Sequence, residues 1–319
     1  MKVCTRNLED SSLSRQDAVL SLERLQEVDP SWLAVGFGRQ SQPFVWFQRN
    51  IPQLISDNRE KFNETLRLWK ELYVLGYGEV LGKLTEQAVQ QLELLFGKIS
   101  PETSLFLLSA YYGTVVFSLT HELEERVGVR PNTTLVNEPL LWCVNTSEEF
   151  RDYYSRSANR TIDLLLNKDV YAVSKTDFLK QLYESLFPRE VRHDLGEYYT
   201  PRYLAECTVK ALGVRKLTEQ LVLDPGCGSG IFLKVMIERK IDEMKKLRYD
   251  SEAILSRIVT SVFGIDISPL AAESARFNYL LSLLPILQTK LHWDFRVPVF
   301  LGDSIEISLL NERLRDTAF

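Results

Sequence analysis

Three short apolar segments in the last third of the chain each run into an aspartate. They occupy residues 221–224, 262–266 and 297–303, and their acids are Asp224, Asp266 and Asp303. A helical pattern covers 231–248, and a second helix is expected after Ser268-Pro269. Strand, helix, strand, helix, strand predicts right-handed crossovers and a parallel sheet. Because ligands of such sheets bind beyond the carboxyl ends of the strands, the three acids are expected around one crevice.

A glycine-rich loop follows the first apolar segment. Gly226, Gly228 and Gly230 let the backbone turn tightly and approach a ligand without a Cβ in the way. Dinucleotides and S-adenosylmethionine both bind at such loops. The dinucleotide fingerprint requires G-x-G-x-x-G and an acid about 20 residues further on. Here Ile231 occupies the last glycine position, and Asp266 follows Asp224 by 42 residues, so a dehydrogenase is disfavoured.

The positions of the acids favour S-adenosylmethionine over a dinucleotide. Asp224, just before the loop, would repel a pyrophosphate but suits a cationic amine. Asp266 can accept from both hydroxyls of a ribose, because a carboxylate has two acceptor oxygens. Asp303 can accept from an adenine amino group. The alternative interpretation is that Asp224 and Asp266 only cap strand ends.

The segment 1–187 is expected to form a mostly helical domain, followed by a second domain at 188–319. Helix start signals recur before apolar-periodic runs, at 14–17, 100–102, 146–149 and 174–177. The run 105–119 is apolar on nearly all sides, which predicts a buried central helix.

Composition excludes several classes of protein. The 319 residues are 45% hydrophobic and 25% charged, which is typical of a globular chain. The net charge of −5 arises in residues 1–187, and no strongly basic segment indicates a free-standing nucleic-acid binder. No run reaches the roughly 18 apolar residues of a membrane helix, and the N-terminus does not resemble a secretory signal. Scattered cysteines and histidines predict a cytoplasmic protein without a structural metal site.

A further motif, Gly-Glu-Tyr-Tyr-Thr-Pro at 196–201, precedes the glycine loop. Together with 223–233, 263–269 and 301–304, it resembles motifs X, I, II and III of the amino-methylating, adenine-specific DNA methyltransferases of restriction–modification systems. The type I modification subunits and the single-chain type IIG enzymes are the most similar. Motif X directly before motif I distinguishes this family among folds that bind S-adenosylmethionine. It also disfavours an RNA or protein methyltransferase.

The resemblance implies an α/β fold: a mostly helical N-terminal domain, then the first half of a Rossmann-like methyltransferase domain. The cofactor would be S-adenosyl-L-methionine. We expect Thr200 to cap a helix beginning at Pro201 and to contact the methionine end of the cofactor with a neighbouring tyrosine. Cys227 is not expected to be catalytic, because amino methylation needs no thiolate. The predicted cofactor-binding residues are Tyr198, Thr200, Pro201, Asp224, Gly226, Gly228, Gly230, Asp266, Ile267 and Asp303.

The family's catalytic motif, Asn- or Asp-Pro-Pro-aromatic, does not occur in the sequence. We therefore assign no catalytic residue and expect the chain alone to be inactive. Double-stranded DNA would be bound mostly by regions outside this sequence, and restriction or specificity subunits are candidate partners. The fold of the family places its first strand centrally, so a free edge at 221–223 should promote association unless the N-terminal helices cover it. The alternative function is a non-catalytic scaffold subunit of the same fold.

Overall fold

The structure, a computed structural model, describes residues 28–77, 84–130, 139–196, 199–213, 217–287 and 293–305. Most of these residues are helical. The helices before the glycine loop are α1 Trp32–Phe37, α2 Gln42–Asp57, α3 Arg59–Tyr77, α4 Glu86–Phe96, α5 Pro101–Val127, α6 Trp142–Thr146, α7 Glu148–Leu166, α8 Val170–Lys175, α9 Phe178–Leu186, α10 Arg189–Asp194 and α11 Arg202–Ala211. A 3-10 helix (Leu217–Glu219) then precedes β1 Val222–Asp224, α12 Ile231–Lys246, α13 Ser251–Val259, β2 Val262–Asp266, α14 Pro269–Leu287 and β3 Val299–Leu301.

Serine caps begin two helices where the sequence predicts them. Ser100 accepts a hydrogen bond from the N–H of Thr103 at the start of α5, and Ser147 accepts one from Phe150 at the start of α7. The signal at 174–177 is confirmed through Asp177, which caps α9. The predicted start at 14–17 lies outside the described residues.

Helix α5 is the central helix that the sequence predicts. All of its residues from Ser104 to Val116 are buried. It packs mainly against α7 and α14. By length and composition α5 could cross a membrane, but 83% of its most apolar window is buried inside the protein, as in the core helix of a globular protein.

The three strands form one parallel sheet in the order β1-β2-β3. Val222 pairs with Val262, and Gly264 pairs with Val299. The predicted alternation of parallel strands and helices is therefore confirmed. A mostly helical chain with a small parallel sheet is compatible with the α/β class, whereas the Rossmann-like assignment and the two domain ranges stay predictions.

One hydrophobic core extends across residue 187. Its buried members include residues of α1 to α10 as well as residues of α12, α13, α14, β2 and β3. Helix α14 is buried almost all round and contacts α5, α8 and α12. The N-terminal helices and the sheet are thus packed directly on each other.

The free side of β1 is apolar and open to solvent. Among the described residues, β1 pairs only with β2. Leu221 and Leu223 are 77% and 56% exposed, so the N-terminal helices do not bury these side chains. Association through this edge stays a prediction.

Candidate functional site

The glycine loop between β1 and α12 is held against α14. Gly228 and Gly230 have φ values of 54° and 85°, in a region that residues with a Cβ rarely adopt. A Cβ on Gly230 would lie 3.1 Å from Cα and Cβ of Ala275. The side chain of Asn278 donates a 2.8 Å hydrogen bond to the carbonyl of Ser229. These contacts fix the path of the loop relative to α14.

Asp266, at the end of β2, binds the same loop. Its carboxylate accepts hydrogen bonds from the N–H groups of Gly228 at 2.8 Å and Ser268 at 2.9 Å. The carbonyl of Ile265 accepts from the N–H of Cys227 at 2.9 Å. Because each carboxylate oxygen has more than one lone pair, Asp266 retains acceptor capacity for a ligand.

A pocket of about 320 Å³ lies beside the carboxyl ends of β1 and β2, where parallel sheets bind ligands. Four parts of the chain line it: the glycine loop with the start of α12, the turn from β2 with the first turns of α14, the described residues Gly196, Tyr199 and Thr200, and two tyrosines of the N-terminal helices. The lining residues are Tyr112, Tyr183, Gly196, Tyr199, Thr200, Gly226, Cys227, Gly228, Ser229, Ile231, Phe232, Asp266, Ile267, Ser268, Leu270, Ala271 and Ser274.

Half of the predicted cofactor-binding residues line this pocket. They are Thr200, Gly226, Gly228, Asp266 and Ile267. The pocket lining does not include Pro201, Asp224, Gly230 or Asp303. Gly230 is turned toward α14, and Asp303 accepts a hydrogen bond from the N–H of Ile305 at 2.8 Å. Tyr198 lies outside the described residues. The ligand roles of all these residues stay predictions.

Asp224 has an unusual environment at the end of β1. One carboxylate oxygen, Oδ1, is 3.4 Å from the N–H of Gly226. The other, Oδ2, is buried and has no hydrogen-bond partner among the described residues. Burial raises the pKa of Asp224 above its ordinary value, the N–H of Gly226 opposes this, and the nearby Asp266 raises the pKa further. A buried carboxylate oxygen without a partner suits a cationic donor.

The helix after motif X begins one residue later than predicted. Thr200 is not its cap: Pro201 occupies the N-cap position, and no side chain caps the helix. Arg202 anchors the first turn instead, because its guanidinium donates to both carboxylate oxygens of Glu238 and to the carbonyl of Lys175. Thr200 nevertheless lines the pocket.

Sequence reasoning missed the pocket residues that the N-terminal helices contribute, Tyr112 of α5 and Tyr183 of α9. The hydroxyl of Tyr112 lies 2.9 Å from that of Ser274. The ring of Tyr183 lies 5.4 Å from the ring of Tyr112 and 5.2 Å from the ring of Tyr199. In the sequence, Tyr112 and Tyr183 both occupy positions typical of the core side of an apolar helix. The sequence therefore carries no signal that distinguishes them from other buried tyrosines.

Cys227 is buried at the base of the loop. Burial raises the pKa of its thiol, and the neighbouring carboxylates of Asp266 and Asp224 raise it further. The neutral thiol is a poor nucleophile. That Cys227 has no catalytic role stays a prediction.

The glycine loop and the acid at the end of the second strand lie together at the pocket beside the parallel sheet. Residues 174–293, which include nearly all of the pocket, match the family model described as N-6 DNA methylase. This match confirms the resemblance to amino-methylating DNA methyltransferases over that segment and supports DNA methyltransferase activity in general terms. Comparison with curated proteins gave no match, and comparison with solved structures gave none either.

Proposed function

We propose that this chain binds S-adenosyl-L-methionine and forms the cofactor-binding part of an adenine-specific DNA methyltransferase of the restriction–modification type. The main support for the proposal is the hydrogen bond that the carboxylate of Asp266 accepts from the N–H of Gly228. Both residues line the pocket. This hydrogen bond brings together the second-strand acid and the glycine loop, which are separate motifs in the sequence. The family match over 174–293 includes both.

The residues present fit this cofactor. The unpaired Oδ2 of Asp224 is an acceptor for its amine, and Asp266 has acceptor capacity left for its ribose hydroxyls. Ile267, 36% exposed, offers an apolar surface beside the nucleoside. Thr200 would bind the methionine end, and Asp303 the adenine amino group. When bound, the cofactor supplies a methyl group on a positively charged sulfur.

Methyl transfer itself is proposed to need residues outside this sequence. The family holds the flipped adenine with an Asn- or Asp-Pro-Pro-aromatic motif. The sequence of 319 residues does not contain this motif. We therefore propose that this chain does not methylate DNA alone. Double-stranded DNA and restriction or specificity subunits are its proposed partners.

Isothermal titration calorimetry of the full chain with S-adenosylmethionine tests the proposal. The wild-type protein should bind, and Asp266→Ala should weaken binding at least tenfold, because hydrogen bonds to a charged group contribute about 1.5–3 kcal/mol each. Cys227→Ala should have a much smaller effect. Asp294→Asn is the matched acid control, since Asp294 is exposed and pairs with Arg130. Absence of binding by the folded wild type, or equal weakening by all three substitutions, would refute the proposal.

A further inference from the structure

A buried tyrosine hydroxyl lacks a partner beside the pocket. Tyr183 is 4% exposed, and its hydroxyl forms no hydrogen bond with any described residue. The hydroxyls of two other buried tyrosines of the core have partners. Tyr111 donates to the carbonyl of Phe37 at 2.7 Å, and Tyr154 donates to that of Pro43 at 3.2 Å. Since buried polar groups almost always have partners, the hydroxyl of Tyr183 is an exception that requires an explanation.

The ring of Tyr183 is held in place by other aromatic rings. It stacks on Phe187 with centroids 4.2 Å apart and an angle of 19° between the planes. It also meets Tyr112 edge to face and Tyr199 at a tilted angle. This packing prevents the side chain from turning its hydroxyl toward bulk water. The missing partner must therefore come to the residue.

The pocket can supply that partner, because Tyr183 is part of its lining. Among the described residues of the lining, Asp266 is the only one with a charged side chain, so an anionic group bound away from Asp266 would meet neutral donors. Tyr183 and Thr200 both line the pocket and carry hydroxyl donors, and the ring of Tyr183 lies 5.2 Å from the ring of Tyr199. Asp266 would repel an anion bound close to the carboxyl end of β2.

We propose that Tyr183 donates a hydrogen bond to the carboxylate at the amino-acid end of bound S-adenosylmethionine. The inference rests on the proposed function. In this arrangement the two charged groups of the amino-acid end bind at different places. The amine lies toward Asp224, and the carboxylate lies toward the hydroxyls of Tyr183 and Thr200. Tyr183 belongs to α9, so the N-terminal helices would contribute directly to cofactor binding.

Tyr183→Phe tests this role, because it keeps the ring and removes only the hydroxyl. We expect affinity for S-adenosylmethionine and S-adenosylhomocysteine, measured by calorimetry, to fall about tenfold. Affinity for 5′-methylthioadenosine, which has no carboxylate, should not change. The melting temperature of the unliganded variant should stay equal or rise, since an unsatisfied buried hydroxyl is lost. A purely structural role of Tyr183 would not weaken the binding of S-adenosylmethionine while leaving the binding of 5′-methylthioadenosine unchanged.

Tyr154→Phe is the matched control. It removes a satisfied hydroxyl outside the pocket, so it should lower the melting temperature and leave ligand affinity unchanged. If the wild type binds S-adenosylmethionine and Tyr183→Phe binds it equally well, the role of Tyr183 is refuted and the proposed function stands. Equal weakening toward 5′-methylthioadenosine would refute the assignment to the carboxylate. Failure of the wild type to bind any of these ligands would refute the proposed function itself.

Discussion

Replacing Lys234 by methionine is expected to stabilise the protein. Lys234 lies in α12 and is fully buried, and its Nζ makes no hydrogen bond with the described part of the chain. Burial lowers the pKa of Lys234 from 10.5 to about 8, although the carboxylates of Glu238 and Asp177 partly oppose the change. Methionine is similar in length and carries no charge, so it removes the cause of this shift.

The magnitude follows from the two pKa values of Lys234, 10.5 and about 8. At about 1.4 kcal/mol per pH unit, their difference costs the folded state about 3 kcal/mol at neutral pH, where the amine is charged in both states. Above pH 8 the folded state releases its proton first. The unfolded state then binds more protons, so the contribution of Lys234 to stability rises with pH until the cost has vanished near pH 10.5.

Urea unfolding of the wild type and of Lys234→Met checks this reasoning. The variant should be more stable by about 3 kcal/mol at pH 7, and the difference should shrink by pH 9.5. Lys246→Met is the matched control, because Lys246 is exposed on the same helix; it should change stability by less than about 0.5 kcal/mol. A less stable Lys234→Met at pH 7 would show that Lys234 is stabilised by its carboxylate neighbours. A difference independent of pH would show that the pKa of Lys234 does not change on folding.

Three further predictions concern the glycine loop. Gly230→Ala should lower the free energy of unfolding by about 2 kcal/mol, because of its positive φ and its contact with Ala275. A Cβ on Gly226 would have no atom within 4 Å, so Gly226→Ala should hardly change the free energy of unfolding measured in urea. Calorimetry should nevertheless show weaker binding of S-adenosylmethionine by this variant. Equal loss of stability in the Gly226 and Gly230 variants would contradict the different roles of the two glycines. Iodoacetamide should label exposed Cys207 in the folded protein and spare buried Cys227, as mass spectrometry can check, and rapid labelling of Cys227 would mean that the loop opens.

The sheet and its loop could be predicted because their signals are local. Alternating apolar segments, glycines at 226, 228 and 230 and an acid after each strand are all readable along the chain. The side of the pocket formed by Tyr112 and Tyr183 could not be predicted. It depends on how α5 packs against α14, and two helices that are apolar on nearly all sides give no preferred direction for that contact.

Gly230 illustrates a different limit. The sequence correctly marks it as a position that excludes a side chain, but the reason is ambiguous. A glycine can make room for a ligand or for another backbone. In the structure its open side faces Ala275 of α14 and not the pocket. Spacing alone cannot separate these two causes, because both require only the absence of a Cβ.

The burial of α14 on nearly every side has a consequence for how this protein can be divided. Its residues from Ala272 to Leu284 are all buried, and α5 and α8 supply part of that cover. A fragment that begins after residue 187 would expose apolar surface of α14 to water. It would also lose Tyr112 and Tyr183. The family motifs are therefore not a module that can be excised, and gain or loss of the N-terminal helices in evolution would alter the methyltransferase segment at the same time.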